Sequence, residues 1–381
     1  MNASPGRSEG RLPSIDALRG LIMVLMALDH AALFIAGQHP SEMWSRPLPE
    51  YDSVLAFLTR YGTHLCAPGF LLLMGAGMVF FAESRRSAGW LQRRIIGHFA
   101  LRGAVLILLQ FLVVDPAWIL PSLILQGGES GLGGSLVLYV GVLFALGGSM
   151  TLCALLVHLR PSAMLLAGGS AVLLSQLLVP PGGSEALSSY LARLLWLPGL
   201  TEPVYVNYPL LPWFGVACLG MALAKIQGRR RPFRRSLTLY PGLACLALFP
   251  AVRGLGGFGT FHPVAGEGLM AFLNVTKYPP SLAFLLMSLG GNLILLYIFS
   301  RASGLRDRAG RWLKDFGRSP LFFYVVHLYL YGFISLVHPA NTSLIGMYPY
   351  WVIGLLILLP ACQRYARFKA GTSPGSIWRL L

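Results

Sequence analysis

The 24 residues SIDALRGLIMVLMALDHAALFIAG (14–37) decide how the chain is built. Apart from Asp16, Arg19, Asp29 and His30 they are apolar or small. As a helix rising 1.5 Å per residue they extend about 36 Å, enough to cross a hydrocarbon layer about 30 Å thick. Two carboxylates, a guanidinium and an imidazole within such a stretch cost a few kcal/mol each in lipid, so each needs a partner, a wet cavity or a chemical role. At 100° per residue, Asp16, Arg19 and His30 fall within about 60° of one another. One helix face therefore carries a polar stripe from one membrane rim past mid-depth, with about 16 Å between Arg19 and His30.

The rest of the chain repeats the apolar pattern. Of 381 residues, 55% are hydrophobic and only 12% charged, against about a quarter charged in a soluble domain. Mean hydropathy is +0.64. Ten apolar runs are long enough to span: 14–37, 55–82, 94–114, 135–157, 162–180, 204–226, 237–253, 280–300, 317–337 and 346–363. The fold class expected is thus an all-α polytopic integral membrane protein of about ten transmembrane helices. A transmembrane domain covers 14–370, between a tail at 1–13 and another at 371–381. Asp29 and His30 interrupt the first run, which reads as a retained helix rather than a signal peptide.

Thirty Lys and Arg against 14 Asp and Glu give a net charge of +16. An even number of spans puts both termini on one side, and 23 of the basic residues then fall on that side, 4 on the other (Arg46, Arg193, Arg253, Lys277) and 3 inside spans. By the positive-inside rule both termini are cytoplasmic. The charge is topology plus attraction to anionic lipid, and no nucleic-acid partner is expected, even for the run GRRRPFRR. The connections 38–54, 115–134, 181–203 and 254–279 are longer and mix Gly, Pro, aromatics and acids, which marks that side as the substrate side. Residues 116–126 and 186–196 read as interfacial helices. The five cysteines lie in or beside apolar runs without metal or disulfide spacing, so they read as packing residues and no metal is expected.

The second span, LTRYGTHLCAPGFLLLMGAG, carries Arg60 and His64 one turn apart, and His64 should sit at the depth of His30. That suggests one cavity holding both imidazoles, with Asp29 and Arg60 near enough to tune them. Gly62, Gly69, Gly75 and Gly77 suit close helix contact. The ninth span places Tyr324, His327 and Tyr331 on one aromatic face. Pro209 and Pro212 should kink or break the sixth span near its end.

Five strings in order, RLPSIDALRGLIMVLMALDH, THLCAPGFLLLMGAG, YPLLPWFGVACLG, TKYPPSLAFLLMSLG and GRSPLFFYVVHLYLY, resemble bacterial members of the heparan-alpha-glucosaminide N-acetyltransferase catalytic-domain family. The spacing of Arg19 and His30 is also similar to the arginine and histidine signature of the broader membrane acyltransferase superfamily. The resemblance implies a multi-pass enzyme of the bacterial plasma (inner) membrane, taking an acetyl or other acyl group from cytosolic acyl-CoA to an amine or hydroxyl of an extracytoplasmic sugar or glycan. Acetyl-CoA would be a co-substrate and no cofactor would stay bound. Arg19 would meet CoA, and His30 would be general base or transient acyl carrier. His64 and Asp29 complete the candidate catalytic set, while Asp16, Arg60, Tyr324 and His327 join Arg19 as candidate substrate-binding residues. The lysosomal relative has an acidic residue where His64 stands and an asparagine where His30 aligns, so heparan sulfate is not implied as acceptor. Lipid is the other partner, and a homodimer is left open.

The chemistry is self-consistent, because a thioester needs only a deprotonated acceptor, oxyanion stabilisation and exclusion of water. A secondary transporter or lipid-linked sugar carrier, with the histidines and arginines as its pathway, is the alternative. An assembly subunit without turnover is a third reading. The charge distribution makes a direct prediction. A cysteine placed at position 229 in a cysteine-free background should resist an impermeant reagent in intact cells, and its modification would refute the assigned orientation.

Overall fold

A computed structural model describes residues 12–119, 137–180, 189–228, 233–302, 307–337, 342–373, 376 and 378. Eight helices are long and apolar enough to cross a membrane, and two shorter apolar ones accompany them. All ten sequence runs coincide with one of these. In chain order the first four are α1 (Pro13–Ala36), α2 (Val54–Thr63), α3 (Cys66–Ser87) and α4 (Gln92–Ile119), α2 and α3 forming one crossing. Then come α5 (Val142–Leu156), α6 (Pro161–Leu177), the short α7 (Tyr190–Leu195), α8 (Leu210–Gln227), α9 (Leu239–Leu255) and the short α10 (Gly268–Leu273). The last four are α11 (Leu282–Arg301), α12 (Arg308–Arg318), α13 (Pro320–Val337) and α14 (Leu344–Gly371). Leucines such as Leu112, Leu166 and Leu177 remain exposed around the perimeter, as a lipid-facing surface requires.

Helix α1 is the hub: it packs against α2, α3, α11, α12, α13 and α14. Backbones touch at its start, where a Cβ on Gly20 would collide with the Leu313 carbonyl and one on Gly317 with the Asp16 carbonyl. Helices α3 and α8 cross in the same reciprocal way, Gly75 against the Ala217 carbonyl and Gly220 against the Leu72 carbonyl. Small residues are how helices approach closely when lipid offers no hydrophobic driving force between them. Of the four glycines singled out in the second span, Gly69 and Gly75 make such contacts, whereas Gly62 is only loosely packed and Gly77 meets nothing.

Two local expectations change. Pro209 and Pro212 do not break the sixth crossing: Pro209 is the N-cap of α8 and Pro212 lies in its first turn, where the missing N–H has no helical acceptor anyway. The break falls in the second crossing, at His64–Leu65, just before Pro68. The Leu65 carbonyl there accepts both from the Gly69 N–H of the next turn and from the Asn292 side chain of α11, each at 3.0 Å. The all-α reading also lacks a three-stranded sheet in the order β1 (Leu138–Val140), β3 (Val204–Val206), β2 (Gly199–Thr201). Strands of three residues are too short to leave an alternating pattern. Within the expected interfacial helices, 116–119 continue α4 and 190–195 form α7, while 120–126 and 186–188 lie outside the described residues, as do 1–11, Arg229 to Arg231 and Arg379.

The contrast between two glycines of α3 gives a test. Gly75→Ala should lower stability in detergent by about 1–3 kcal/mol through overpacking against α8, while Gly77→Ala, with open space at its Cβ, should leave the melting temperature nearly unchanged.

Candidate active site

Two cavities meet inside the bundle. The wider, about 1040 Å³, lies at the arginine-rich end and is ringed by Arg19, Arg85, Arg94, Arg102, Arg318 and Lys369, with Trp90 and Phe81 between them. The smaller, about 60 Å³, is lined by Asp29, His30, His39, Trp118, Tyr139, Asn207 and Lys277 among others. Phe70, Val142 and Tyr324 line both and so form the partition between them. The polar stripe of α1 joins the two spaces, Arg19 facing the wide cavity and His30 the small one.

His30 is buried and its Nδ1 lies 2.6 Å from Nε2 of His327 on α13. His327 Nδ1 is 2.9 Å from the Phe323 carbonyl of the preceding turn. A carbonyl can only accept, so His327 carries its proton on Nδ1 and its Nε2 accepts from His30 Nδ1–H. That chain leaves the lone pair of His30 on Nε2. Trp118 meets the His30 ring edge-on at 5.1 Å. It is carried by the part of α4 beyond a single π turn, Gln110–Val114, a distortion that often accompanies functional sites. Just after that turn, Asp115 accepts from Gln110 Nε2 at 2.9 Å and from the Tyr139 backbone N–H at 3.2 Å, holding β1 beside the cavity.

Behind His30 stands a buried ion network. The Arg60 guanidinium donates from Nη1 to Asp29 at 2.7 Å and from Nε to Glu42 at 2.7 Å, and its Nη2 also meets Glu42. His64 Nε2 donates to Glu42 at 3.0 Å, and Tyr51 donates at 3.5 Å. His39 Nε2 lies 3.4 Å from Asp29 and 3.2 Å from Arg60 Nη1. Burial alone would raise the Glu42 carboxyl, but the Arg60 guanidinium and His64 outweigh it and hold the group well below the usual carboxylate range. The Glu42 backbone carbonyl accepts from the N–H groups of Lys277 and Tyr278, both at 3.1 Å, so this loop acid also anchors the segment entering α11.

The structure thus brings together Asp29, His30, Tyr324 and His327 and places Arg19 at the neighbouring cavity. It does not form the shared cavity expected for His30 and His64: His64 lines neither space and is bonded to Glu42, and the partner of His30 is His327. Arg60 is likewise off both cavity walls, and Asp16 pairs with Arg19 at 3.4 Å rather than lining one. Sequence reasoning missed Glu42, His39 and Lys277, all in connections. Their only signal was ionisable character in otherwise apolar, aromatic-rich loops.

A sequence model of the family described as heparan-alpha-glucosaminide N-acetyltransferase, catalytic, matches residues 11–249. The chain belongs to that family. A search of curated proteins returns no match. Membership makes the chain a multi-pass membrane protein of an acetyltransferase family. The matched stretch holds Arg19, Asp29, His30, Glu42, Arg60 and His64, while Lys277, Tyr324 and His327 lie beyond it.

The ion network predicts an acid limb in stability. Because the folded Glu42 carboxyl ionises more readily than the unfolded one, its contribution is complete above the unfolded value of about 4.3 and declines as pH falls below it. Unfolding of the detergent-solubilised protein should therefore show constant stability near neutrality and loss below that point, with Glu42→Gln flattening the limb. Arg60→Met, which strands two buried carboxylates, should lose roughly 3–5 kcal/mol.

Proposed function

We propose that this family member moves an acyl group, in the first instance acetyl, from cytosolic acyl-CoA to an amino or hydroxyl group of an extracytoplasmic sugar or glycan. The observation that carries this reading is the back-to-back arrangement of a wide cationic cavity and a small histidine-bearing one, divided only by Phe70, Val142 and Tyr324. CoA carries phosphates and an aromatic base. The wide cavity offers Arg19, Arg85, Arg94, Arg102 and Arg318 for the first and Trp90 for the second, with Arg94 already stacked 4.2 Å from the Trp90 ring centroid. A polar nucleotide too charged to cross would dock there and extend its thioester toward the partition.

On the other side His30 is the general base. Its Nε2 lone pair, fixed by the bond to His327, removes the proton of the acceptor as that atom attacks the thioester carbonyl. The same nitrogen is also placed to carry the acyl group transiently. His327 and Asp29 are positioning groups, the first setting the His30 tautomer and the second holding His39 at the cavity edge and anchored in turn by Arg60. Tyr139, Asn207 and Tyr208 supply the aromatic and polar walls that a sugar requires. The cavity is walled mostly by buried side chains and opens past His39 and Asp29, so the arriving acceptor would displace water from it as the thioester is exposed to attack. Both termini and the arginine-rich cavity face the cytoplasm in this scheme, in keeping with the distribution of basic residues.

His30→Ala should abolish acyl transfer, a loss of about 10²–10⁴ for a general base and more for an acyl carrier, while the protein still inserts and binds acetyl-CoA. Arg19→Ala should instead raise the acetyl-CoA KM about tenfold or more, as expected for one charge-assisted contact. Near wild-type turnover in His30→Ala would remove His30 from the mechanism.

A further inference from the structure

The charge pattern assigns four basic residues to the side opposite the arginine-rich end, Arg46 and Lys277 in connections, Arg193 in α7 and Arg253 in the last turn of α9, and they differ in what they do. Arg46 is exposed. Arg253, fully buried, donates to the backbone carbonyls of His262, Phe272 and Asn274 and ties that loop together. Arg193 is buried and donates to the Pro198 carbonyl. Lys277 is only 3% exposed, yet its ammonium has no hydrogen bond and no carboxylate within ion-pair distance among the described residues; it lies 5.3 Å from the centroid of the Tyr278 ring. It lines the small cavity with His30 and Asp29. The ammonium is not sealed among protein atoms but opens onto this cavity, and the residue is held in place by the backbone bond to Glu42.

We propose that Lys277 is a catalytic residue that stabilises the oxyanion formed on the acyl carbonyl during transfer. This inference rests on the acyltransferase reading given above. The charges of the site favour an oxyanion over a permanent anion. Asp29 and Glu42 match Arg60 and Lys277, so with His30, His39, His64 and His327 all in their uncharged forms the site is balanced before the reaction. When the acceptor N–H or O–H attacks the thioester carbon, its proton goes to His30 Nε2 and the carbonyl π pair goes to oxygen. One positive and one negative charge appear together, so the site stays balanced while the new oxyanion faces the Lys277 ammonium. Collapse re-forms the carbonyl and breaks the C–S bond, and the CoA thiolate takes the proton back from His30. The sum is acyl-CoA plus acceptor giving acylated acceptor plus CoA. A carboxylate carried by the acceptor would instead add an uncompensated charge to the small cavity before any proton moved. A fixed donor aimed at developing charge in a water-excluded site is commonly the largest single contribution to such a reaction.

The test is CoA release by the full-length protein in nanodiscs, with acetyl-CoA and a panel of neutral and acidic sugars. Wild type is compared with Lys277→Met, Lys277→Gln and Lys277→Arg, with acetyl-CoA binding and melting temperature measured alongside. Lys277→Met and Lys277→Gln should lose about 10²–10³ in kcat with all acceptors alike, with KM values and acetyl-CoA binding nearly unchanged, and Lys277→Arg should recover part of the loss. Unchanged kcat in both neutral variants would overturn the proposal. So would an effect confined to KM for acidic sugars, which would make Lys277 an acceptor anchor, or a loss of kcat that Lys277→Arg does not relieve at all. Wild-type protein that releases no CoA with any acceptor would defeat the acyltransferase reading itself, and is distinguishable because it requires no variant.

Discussion

A guanidinium clamped between two carboxylates inside an apolar bundle organises one whole end of this protein. Arg60 reaches Asp29 on the hub helix and Glu42 in the following connection, and Glu42 in turn holds His64 and the backbone of Lys277 and Tyr278. Such a network is weak evidence for stability, since well-packed apolar residues often serve as well; its value lies in fixing geometry, because removing any one charge strands the others. Here that geometry places Asp29 beside His30, the entry to α11 beside the cavity, and the break between α2 and α3 opposite Asn292. The network also explains why two ionisable residues of the second crossing, Arg60 and His64, line neither of the two cavities: they belong to the frame.

The hub helix then couples this frame to the opposite end. Its residues Arg19 and His30 are one face of one rigid element, so two cavities that meet only at Phe70, Val142 and Tyr324 have their chemical groups set at a fixed separation. In the proposed reaction a donor too polar to enter the membrane and an acceptor on the far side would thereby meet without either crossing. The His327–His30 bond adds direction, since the Phe323 carbonyl dictates which nitrogen of each ring bears hydrogen and leaves the remaining lone pair on His30. Close glycine crossings, Gly20 with Gly317 and Gly75 with Gly220, let the surrounding helices pack tightly enough to support this arrangement.

Much of this was legible in the sequence because it follows from periodicity. Helical spacing put Asp16, Arg19 and His30 on one stripe, apolar run length located the eight helices long enough to span and the two shorter apolar ones, and an imidazole in each of three spans marked them for attention. What periodicity cannot supply is pairing between distant elements, so His327 was visible as a candidate while its bond to His30 was not, and His64 was matched to the wrong partner. Glu42, His39 and Lys277 escaped for a different reason: they lie in connections, where no repeat distinguishes a buried ion from a solvated one. The prolines show the limits of a residue-level rule, because Pro212 falls where a helix start tolerates it, whereas Pro68 follows a real interruption.

The central claim is that chemistry joins two faces of the membrane at His30. Its most direct measurement uses sealed proteoliposomes of uniform orientation, with labelled acetyl-CoA confined to the arginine-rich face and a glycan acceptor confined to the other. The account predicts labelled acetyl on the acceptor in its own compartment, with free CoA appearing stoichiometrically on the donor side. Passage of unmodified glycan without CoA release, or acetylation only when both substrates share one compartment, would contradict it.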